Sequence, residues 1–327
     1  MSANRAKTKR KKPPQGSQRS RSKGRPGAPK AKVKPATASD WIAGARPRTL
    51  PLAIAPVVIG VGAAAFADGP GIWHPVRSVL CLMVSLALQI GVNYTNDYSD
   101  GVRGTDAYRV GPSRLTGSGK AKPRTVLLVG LSFFAIAALA GLALVLLTHY
   151  WWLLIVGAVA IAAAWFYTGG KRPYGYFGLG ELFVFVFFGI VATVGTTYLL
   201  SGDLNNQEAW LGGVAAGLFA CAVLMVNNLR DIDQDRLARK HTLTVLIGST
   251  ATRVFYCILV LLPFVILAAL ALFFPIAWLG MFVLLAIVPA CIITVTAKTS
   301  RELVLALQLT SFSGLAFAII LGAAYAF

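Results

Sequence analysis

The sequence predicts an all-α fold, a polytopic membrane helical bundle with nine transmembrane helices. Hydrophobic residues make up 56% of the 327 residues and charged residues only 13%, whereas roughly a quarter of a soluble domain is charged. From Trp41 onward, long apolar stretches alternate with short polar segments. None of these stretches shows the alternation of every second residue that is typical of a membrane β-barrel.

A basic segment, residues 1–39, precedes the apolar stretches. It holds 13 of the 31 Lys and Arg residues and no acid, and it is rich in Pro, Gly and Ser. This composition predicts a disordered cytoplasmic tail in front of a membrane-embedded domain at 40–327. Basic segments also bind nucleic acid, but the apolar remainder favours contact with anionic lipid instead, so we expect no nucleic-acid partner.

Nine apolar stretches reach the length of about 20 residues that a helix needs to cross a bilayer. They lie roughly at 44–66, 77–97, 124–147, 149–168, 179–200, 209–229, 251–273, 275–297 and 303–326. Only Thr148 and His149 separate the third stretch from the fourth, which predicts a tight hairpin between these two helices.

The charged loops predict the orientation in the bilayer. The loops at 98–123, 169–178, 230–250 and 298–302 hold 13 Lys and Arg residues, and the loops on the other side hold none. Because cytoplasmic loops carry the excess of Lys and Arg, these four loops and the N-terminus are predicted to be cytoplasmic.

Six of the twelve acids fall in two short clusters, at 93–106 and 227–235. Each cluster lies at the cytoplasmic end of a predicted span. Asn96 and Asp100 are four residues apart, as are Asp231 and Asp235, so the members of each pair share one face of a helix.

Two carboxylate clusters at one membrane face indicate a site for Mg²⁺ and a diphosphate. Mg²⁺ prefers oxygen ligands and is usually bound through one or two carboxylates together with substrate phosphates. Basic residues on the same side would balance the phosphate charge, namely Arg103, Arg114, Lys171, Arg172, Arg230 and Lys240. The alternative interpretation is structural: the acids cap helices and pair with loop arginines. The sequence has no zinc-ligand spacing, P-loop or GxSxG motif.

Five segments together resemble the UbiA-type intramembrane prenyltransferases. They are RPRTLP at 46–51, NDYSDGVRGTD at 96–106, GKRPYGYFGLGE at 170–181, NNLRDIDQD at 227–235 and KHTL at 240–243. The resemblance covers the chain from about residue 42 to the end and is greatest for members that prenylate 1,4-dihydroxy-2-naphthoate. Asp106 follows Asp100 by six residues where the family motif has four, and Arg239 stands where members often have glycine.

The resemblance implies Mg²⁺ as cofactor and a role for each candidate residue. Asp100, Asp231 and Asp235 are the expected catalytic residues. The expected ligands of Mg²⁺ are Asn96, Asp100, Asp106, Asp231 and Asp235. The diphosphate is expected to contact Asn93, Asp97, Arg103, Lys171, Arg172, Arg230 and Lys240, and the acceptor is expected to contact Arg46, Arg48 and Tyr174.

The implied reaction transfers a polyprenyl group from polyprenyl diphosphate to 1,4-dihydroxy-2-naphthoate. Loss of the carboxylate then gives demethylmenaquinone, in a bacterial cytoplasmic membrane. The lipid bilayer is the remaining expected partner. Another aromatic acceptor, such as 4-hydroxybenzoate or homogentisate, stays an alternative. A membrane transporter is the non-enzyme alternative, and a phospholipid-type phosphotransferase is a further enzyme class that combines acidic motifs with lipid.

Overall fold

A computed structural model describes residues 34–69, 73–105 and 114–327 of the chain, and these residues form helices without any strand. The all-α prediction is therefore confirmed. Two predictions fall partly or wholly outside the described residues. The predicted tail, 1–39, is described only from residue 34, and Asp106 lies in the second gap.

Twelve α-helices follow one another along the described residues. They are α1 (Ala38–Gly44), α2 (Pro51–Asp68), α3 (Pro75–Arg103), α4 (Pro123–Thr148), α5 (Leu153–Phe166), α6 (Gly180–Val184), α7 (Ala192–Ser201), α8 (Gln207–Arg230), α9 (Ile232–Leu237), α10 (Leu243–Leu270), α11 (Leu284–Thr296) and α12 (Ser300–Ala326). A π-helical segment, Phe185–Val191, joins α6 to α7 into one continuous rod, and a 3₁₀ segment, Pro275–Val283, leads into α11.

Eight helical segments of the described residues are long and apolar enough to cross a membrane. They match eight of the nine predicted spans, and the exception is the fourth, predicted at 149–168. That stretch contains only the 14-residue helix α5, about 21 Å long at 1.5 Å per residue. His149 ends α4 in a left-handed conformation, and the next three residues form the tight turn of the predicted hairpin.

Proline and glycine set helix ends that differ from the predicted ones. The first span, predicted from residue 44, begins at Pro51, because Arg46 adopts a left-handed conformation and a 3₁₀ turn at Pro47–Thr49 follows it. Proline is favoured at the first helical position, where no backbone N–H is needed. The seventh span, predicted from residue 251, begins at Leu243 and is interrupted by non-helical backbone at Gly248.

Helix α3 extends six residues beyond its predicted end at 97. It stops at Arg103, where Gly104 takes a positive φ of 74° and donates its N–H to the carbonyls of Asp100 and Gly101. A glycine in this conformation is a common helix terminator. The extension places the first acidic cluster on a helix, so that Asn93, Asn96 and Asp100 lie on successive turns.

Helix α8 is the buried centre of the bundle and packs against α2, α10, α12 and the π-helical segment. Phe219 of α8 meets Phe264 of α10 and Phe317 of α12, with ring centroids 5.3–6.2 Å apart. On another face, a Cβ on Gly189 would stand 2.6 Å from the carbonyl oxygen of Gly213. Such close backbone contacts between small residues stabilise helix pairs in membranes.

Candidate active site

The second acidic cluster lies where α8 meets α9, beside the end of α3. Asp231 is the single residue between α8 and α9, where it caps both helices, and Asp235 follows within α9. The carboxylates of Asp231 and Asp235, together with Asp100 of α3, line one polar cavity of about 90 Å³. The structure therefore brings the three predicted catalytic residues together, although they belong to segments 131 residues apart along the chain.

Asp100 is the most fully enclosed acid of this polar cavity, with 2% of its surface exposed. One carboxylate oxygen accepts from Arg114 at 2.7 Å. The other accepts from the Tyr176 hydroxyl at 2.6 Å and from the Lys240 ammonium at 3.1 Å. A buried carboxylate is costly unless it is paired and hydrogen-bonded, and these three donors meet that requirement.

Lys240 connects the two acidic clusters. Its ammonium lies 3.1 Å from Asp100 and 3.9 Å from Asp235, and 4.7 Å from the ring centroid of Tyr176. Arg239 directly before it has a positive φ of 55°, the left-handed region that favours glycine. A glycine would therefore suit position 239, and the arginine that stands there adopts the same left-handed conformation.

Tyr176 is a site residue that the sequence analysis did not assign. It stands in a 3₁₀ turn, and its carbonyl accepts from the His241 N–H at 2.9 Å, which fixes the turn beside Lys240. Burial and then the negative charge of Asp100 raise the pKa of the Tyr176 phenol. The phenol therefore keeps its proton and donates a hydrogen bond to the Asp100 carboxylate.

Asp231 is held by its own neighbour. The Arg230 guanidinium contacts both carboxylate oxygens, at 2.8 and 2.6 Å, and also donates to the Asn227 side chain at 3.0 Å. A two-point contact of this kind fixes the orientation of a carboxylate. Arg230 was predicted to bind the diphosphate directly, but it does not line the polar cavity and instead orients Asp231.

Asp97 was predicted to contact the diphosphate, and in the structure its carboxylate binds backbone instead of lining the polar cavity. Both of its carboxylate oxygens accept backbone N–H groups, one from Leu115 and one from Thr116, each at 2.8 Å. Asp97 does not line the polar cavity. It holds the loop that carries Arg114, whose guanidinium contacts Asp100 and the Asn96 carbonyl.

Three other basic residues predicted to bind diphosphate also lie outside the polar cavity. Arg103 donates to the carbonyls of Thr168 and Gly170 and stacks over Tyr176. Lys171 and Arg172 are exposed on the same loop. Of the seven predicted diphosphate contacts, only Lys240 lines the polar cavity, while Asn93 lines the larger apolar cavity beside it.

The donor set of the polar cavity fits Mg²⁺ bound together with a phosphate substrate. Within the described residues, no three acids, histidines or cysteines stand close enough to hold a metal by themselves. Mg²⁺ does not require such a cluster, because one or two carboxylates, waters and substrate phosphates usually complete its shell. The oxygen-bearing side chains of the lining are those of Asn96, Asp100, Asn227, Asn228, Asp231 and Asp235, together with Tyr167, Tyr176, Thr168 and Thr242. Asp106 lies outside the described residues.

A second, apolar cavity of about 500 Å³ adjoins the polar one inside the bundle. The two cavities share five lining residues, which we call the junction: Arg46, Asn96, Tyr167, Leu224 and Asn227. From the junction, the apolar cavity runs between α3, α4 and α5 on one side and α8 and the π-helical segment on the other. Charge is thus confined to one end of a long apolar space.

Aromatic rings form one wall of the apolar cavity next to the junction. Tyr174 packs edge-on against Tyr167 at 5.5 Å and stacks on Phe183 at 4.0 Å, and Phe187 continues the row. The Tyr174 hydroxyl donates a hydrogen bond to the Ala163 carbonyl at 2.9 Å. This bond fixes the side chain, whose ring forms part of the wall. Tyr174, which was predicted to contact the acceptor, therefore lines the apolar cavity beside the junction.

Arg46 and Arg48 occupy different environments, although the sequence analysis treated them alike. Arg46 belongs to the junction, and its carbonyl accepts from both the N–H and the hydroxyl of Thr49. Its left-handed conformation (φ 54°) is rare for a residue other than glycine and recurs at functional sites. Arg48, also predicted to contact the acceptor, lines neither cavity.

The site extends beyond the residues assigned from sequence. Arg114 was recognised as a nearby cation but not as the partner of Asp100, and Thr168, whose hydroxyl donates to Asn96 at 2.5 Å, was not recognised. Asn228 donates to the buried Glu181 at 3.1 Å. The signal for Asn228 was present, because it stands inside the NNLRDIDQD segment. No sequence signal marked Thr168.

A model of the UbiA prenyltransferase family matches residues 53–303 of the chain. The 1,4-dihydroxy-2-naphthoate octaprenyltransferase of Mycobacterium tuberculosis is 46% identical over 89% of this chain and 98% of its own length. The enzyme of the same name from Escherichia coli is 40% identical over 71% of this chain and 76% of its own length.

Solved structures share the fold at low sequence identity. The UbiA homolog from Aeropyrum pernix K1 matches with a TM-score of 0.63 at 18% identity, over 83% of this chain and 96% of its own. The UbiA homolog from Archaeoglobus fulgidus bound to DMAPP and Mg²⁺ matches with a TM-score of 0.56 at 14% identity, over 87% of this chain and 99% of its own.

The role of Asp97 leads to a prediction that separates structure from binding. Asp97→Asn places an amide NH₂ against one of two backbone N–H groups, and an unsatisfied buried donor costs about 1–3 kcal/mol. We expect a lower midpoint of thermal unfolding in detergent. Asp233→Asn is the matched control, since the Asp233 side chain is 78% exposed. An Asp97→Asn protein that unfolds like the wild type but has lost activity would instead favour direct contact with the diphosphate.

Proposed function

The chain belongs to the UbiA prenyltransferase family, and we propose that it transfers a polyprenyl group from polyprenyl diphosphate to 1,4-dihydroxy-2-naphthoate. One structural observation carries this proposal: a carboxylate-lined polar cavity adjoins an apolar cavity and shares the five junction residues with it. A polyprenyl diphosphate has the same two parts, an anionic head and an apolar chain. The identity of 46% to a naphthoate octaprenyltransferase over nearly its whole length supports the acceptor.

In the proposed reaction, the bond between the allylic carbon and the diphosphate oxygen breaks, and the diphosphate leaves with the electron pair. Bound Mg²⁺, held by Asn96, Asp100, Asp231 and Asp235, would neutralise the negative charge that grows on the diphosphate. Arg114 and Lys240 line the same cavity and add fixed positive charge at that end. The Tyr176 hydroxyl and Lys240 keep Asp100 ionised and oriented for this role.

The allylic cation must be kept from water until the aromatic ring attacks it. The apolar cavity begins at the junction and provides this exclusion. Tyr167 belongs to the junction and Tyr174 packs against it. Because aromatic faces stabilise cations, we assign the stabilisation of the allylic cation to these two rings. The ring carbon that carries the carboxylate forms the new bond, and loss of carbon dioxide returns the electron pair to the ring, which gives the hydroquinone (quinol) form of demethylmenaquinone.

We assign the recognition of the acceptor's carboxylate to Arg46. It is the one basic residue, among those described, that lines both cavities. A guanidinium binds a carboxylate through two parallel hydrogen bonds. Tyr174 contributes an aromatic surface on which a naphthalene ring stacks.

The orientation in the bilayer and the role of the tail are part of the same proposal. The site end of the bundle carries the basic loops, including Arg114, Lys171 and Lys240, which supports a cytoplasmic site. The basic N-terminal segment then lies on the same side and contacts anionic lipid. Directly after the basic segment, Asp40 of α1 pairs with Lys120 at 2.7 Å. This hydrogen bond is the largest of the causes that lower the pKa of Asp40 to about 2.

The carboxylates should be indispensable for turnover. Asp100→Asn, Asp231→Asn and Asp235→Asn each remove one negative charge from the polar cavity, and we expect activity to fall about 100-fold or more. Chelation of divalent metal should abolish wild-type activity, and Mg²⁺ should restore it. The assay follows the prenylated product in membranes, with Asp233→Asn as control. Full activity in any two of the three variants would refute the assignment of the site.

The acceptor is tested by competition. Membranes that carry the protein receive one polyprenyl diphosphate, Mg²⁺ and equal amounts of 1,4-dihydroxy-2-naphthoate, 4-hydroxybenzoate and homogentisate. We expect prenylated naphthalene as the main product, identified by mass. Exclusive prenylation of another acid would overturn the acceptor but keep the enzyme class. No prenylation at all, with insertion verified, would favour the transporter alternative.

Arg46 and Arg48 provide a matched pair of variants. Arg46→Gln should raise the KM for the acceptor by about tenfold or more while the KM for the donor changes little, because a charge-assisted contact to a carboxylate contributes about 1.5–3 kcal/mol. Arg48→Gln removes the same charge two residues away and should leave both constants near the wild-type values. Equal effects of the two variants would contradict the assignment of Arg46.

A further inference from the structure

Two amide side chains of α3 line the apolar cavity beside the junction. Both are buried, since Gln89 is 8% exposed and Asn93 is 3% exposed. They stand four residues apart and therefore share one face of the helix. Asn93 precedes Asn96 of the junction by three residues, which is less than one helical turn. The two amides thus belong to the α3 wall of the cavity, close to its charged end.

Hydrogen bonds fix the orientation of each amide. The Thr49 hydroxyl donates its one proton to the Arg46 carbonyl at 3.0 Å, so it must accept from Gln89, whose Nε2 lies 3.0 Å away. The Nδ2 of Asn93 donates to the Ala45 carbonyl at 2.9 Å. In both side chains the NH₂ group is therefore committed to the turn that carries Arg46. The carbonyl oxygen is left on the other branch of the amide.

These two carbonyl oxygens accept no hydrogen bond from any of the described residues. They are not among the polar atoms that the surrounding protein seals off, so both are open to the cavity that their side chains line. An oxygen in such an enclosed position is costly unless a donor reaches it. Because the lining of this cavity is mainly apolar, the donor has to come from a molecule that the cavity binds.

The parts of the proposed substrates differ in what they offer to these oxygens. A prenyl chain has no N–H or O–H group, and a diphosphate or an ionised carboxylate presents oxygens that accept hydrogen bonds. Phenolic hydroxyls are donors, and 1,4-dihydroxy-2-naphthoate has two of them at para positions of one ring. Gln89 and Asn93 are about 6 Å apart along the helix axis, which is comparable with the distance across such a ring.

We propose that Gln89 and Asn93 recognise the two hydroxyls of the acceptor acid, with each side-chain carbonyl oxygen accepting a hydrogen bond from one hydroxyl. This inference rests on the proposed prenyl transfer and on the assignment of the carboxylate to Arg46. Both amides are hydrogen-bonded to the turn that carries Arg46, so the three side chains form one unit that binds the carboxylate and the hydroxyls of the same ring. This unit selects dihydroxylated acids over 4-hydroxybenzoate, which has a single hydroxyl.

Three acids that differ only in their hydroxyls test the inference. They are 2-naphthoate, 1-hydroxy-2-naphthoate and 4-hydroxy-2-naphthoate, and each competes with 1,4-dihydroxy-2-naphthoate for prenylation in membranes that carry the protein. The inhibition constant of each acid is measured. With the wild-type protein, we expect each hydroxylated acid to bind about fivefold or more tightly than 2-naphthoate, because each gains one hydrogen bond. Equal constants for the three acids would overturn the inference without the need for any variant.

Gln89→Met and Asn93→Leu each remove one carbonyl oxygen with little change in side-chain volume. We expect each variant to abolish the advantage of one hydroxylated acid over 2-naphthoate and to keep the advantage of the other. The two variants should affect different hydroxyls, because each oxygen accepts from one hydroxyl only. The ratio of inhibition constants within one variant is the measurement, so a change that weakens all acids equally does not alter it.

Arg46→Gln is the matched contrast, because all three acids carry the carboxylate. It should weaken the binding of all three alike and leave the advantage of each hydroxyl intact. The same uniform loss in both Gln89→Met and Asn93→Leu would show that these amides only hold the turn of Arg46. That result would overturn the recognition of hydroxyls while leaving prenyl transfer intact. Absence of any prenylated product with the wild-type protein would instead refute the proposed function, and this inference with it.

Discussion

The enclosure of Asp100 at the membrane boundary is the constraint on which the site depends. A carboxylate that is 2% exposed requires compensating donors, and each donor reaches Asp100 from a different part of the chain. Arg114 comes from the loop that Asp97 holds, Lys240 from the turn after α9, and Tyr176 from the turn after α5. Three loops are thus fixed around one charge, and the polar cavity is the space between them.

The rest of the fold keeps that charge at one end of an apolar space. Helix α8 fills the centre of the bundle and packs closely against the π-helical segment. The apolar cavity lies between these two elements and helices α3, α4 and α5. Because α5 is short and has no buried residue, it forms a thin wall rather than a packed layer. Three loops thus enclose the charged end of the space, whereas five residues that line the rest of it, all on α4 and α5, are exposed.

The sequence was sufficient to predict the helical bundle, the two acidic clusters and their meeting at one end, because hydropathy and the spacing of acids are local properties. It was insufficient where a side chain's role depends on distant backbone. Asp97 and Asp100 stand in one motif, yet Asp97 binds the N–H groups of Leu115 and Thr116 while Asp100 lines the cavity. Likewise, only Pro47 separates Arg46 from Arg48. Arg46 has a left-handed backbone, and of these two arginines only Arg46 belongs to the junction.

The charges of the polar cavity are balanced before any substrate binds. Its described lining holds three acids, Asp100, Asp231 and Asp235, and three bases, Arg46, Arg114 and Lys240. Arg114 and Lys240 are paired with acids in this state. A diphosphate that arrives with divalent cations brings charges of both signs, so the acids and the bases gain new partners at the same time. An exchange of partners of this kind would leave no charge unpaired, which favours binding of the metal–diphosphate complex over binding of either component alone.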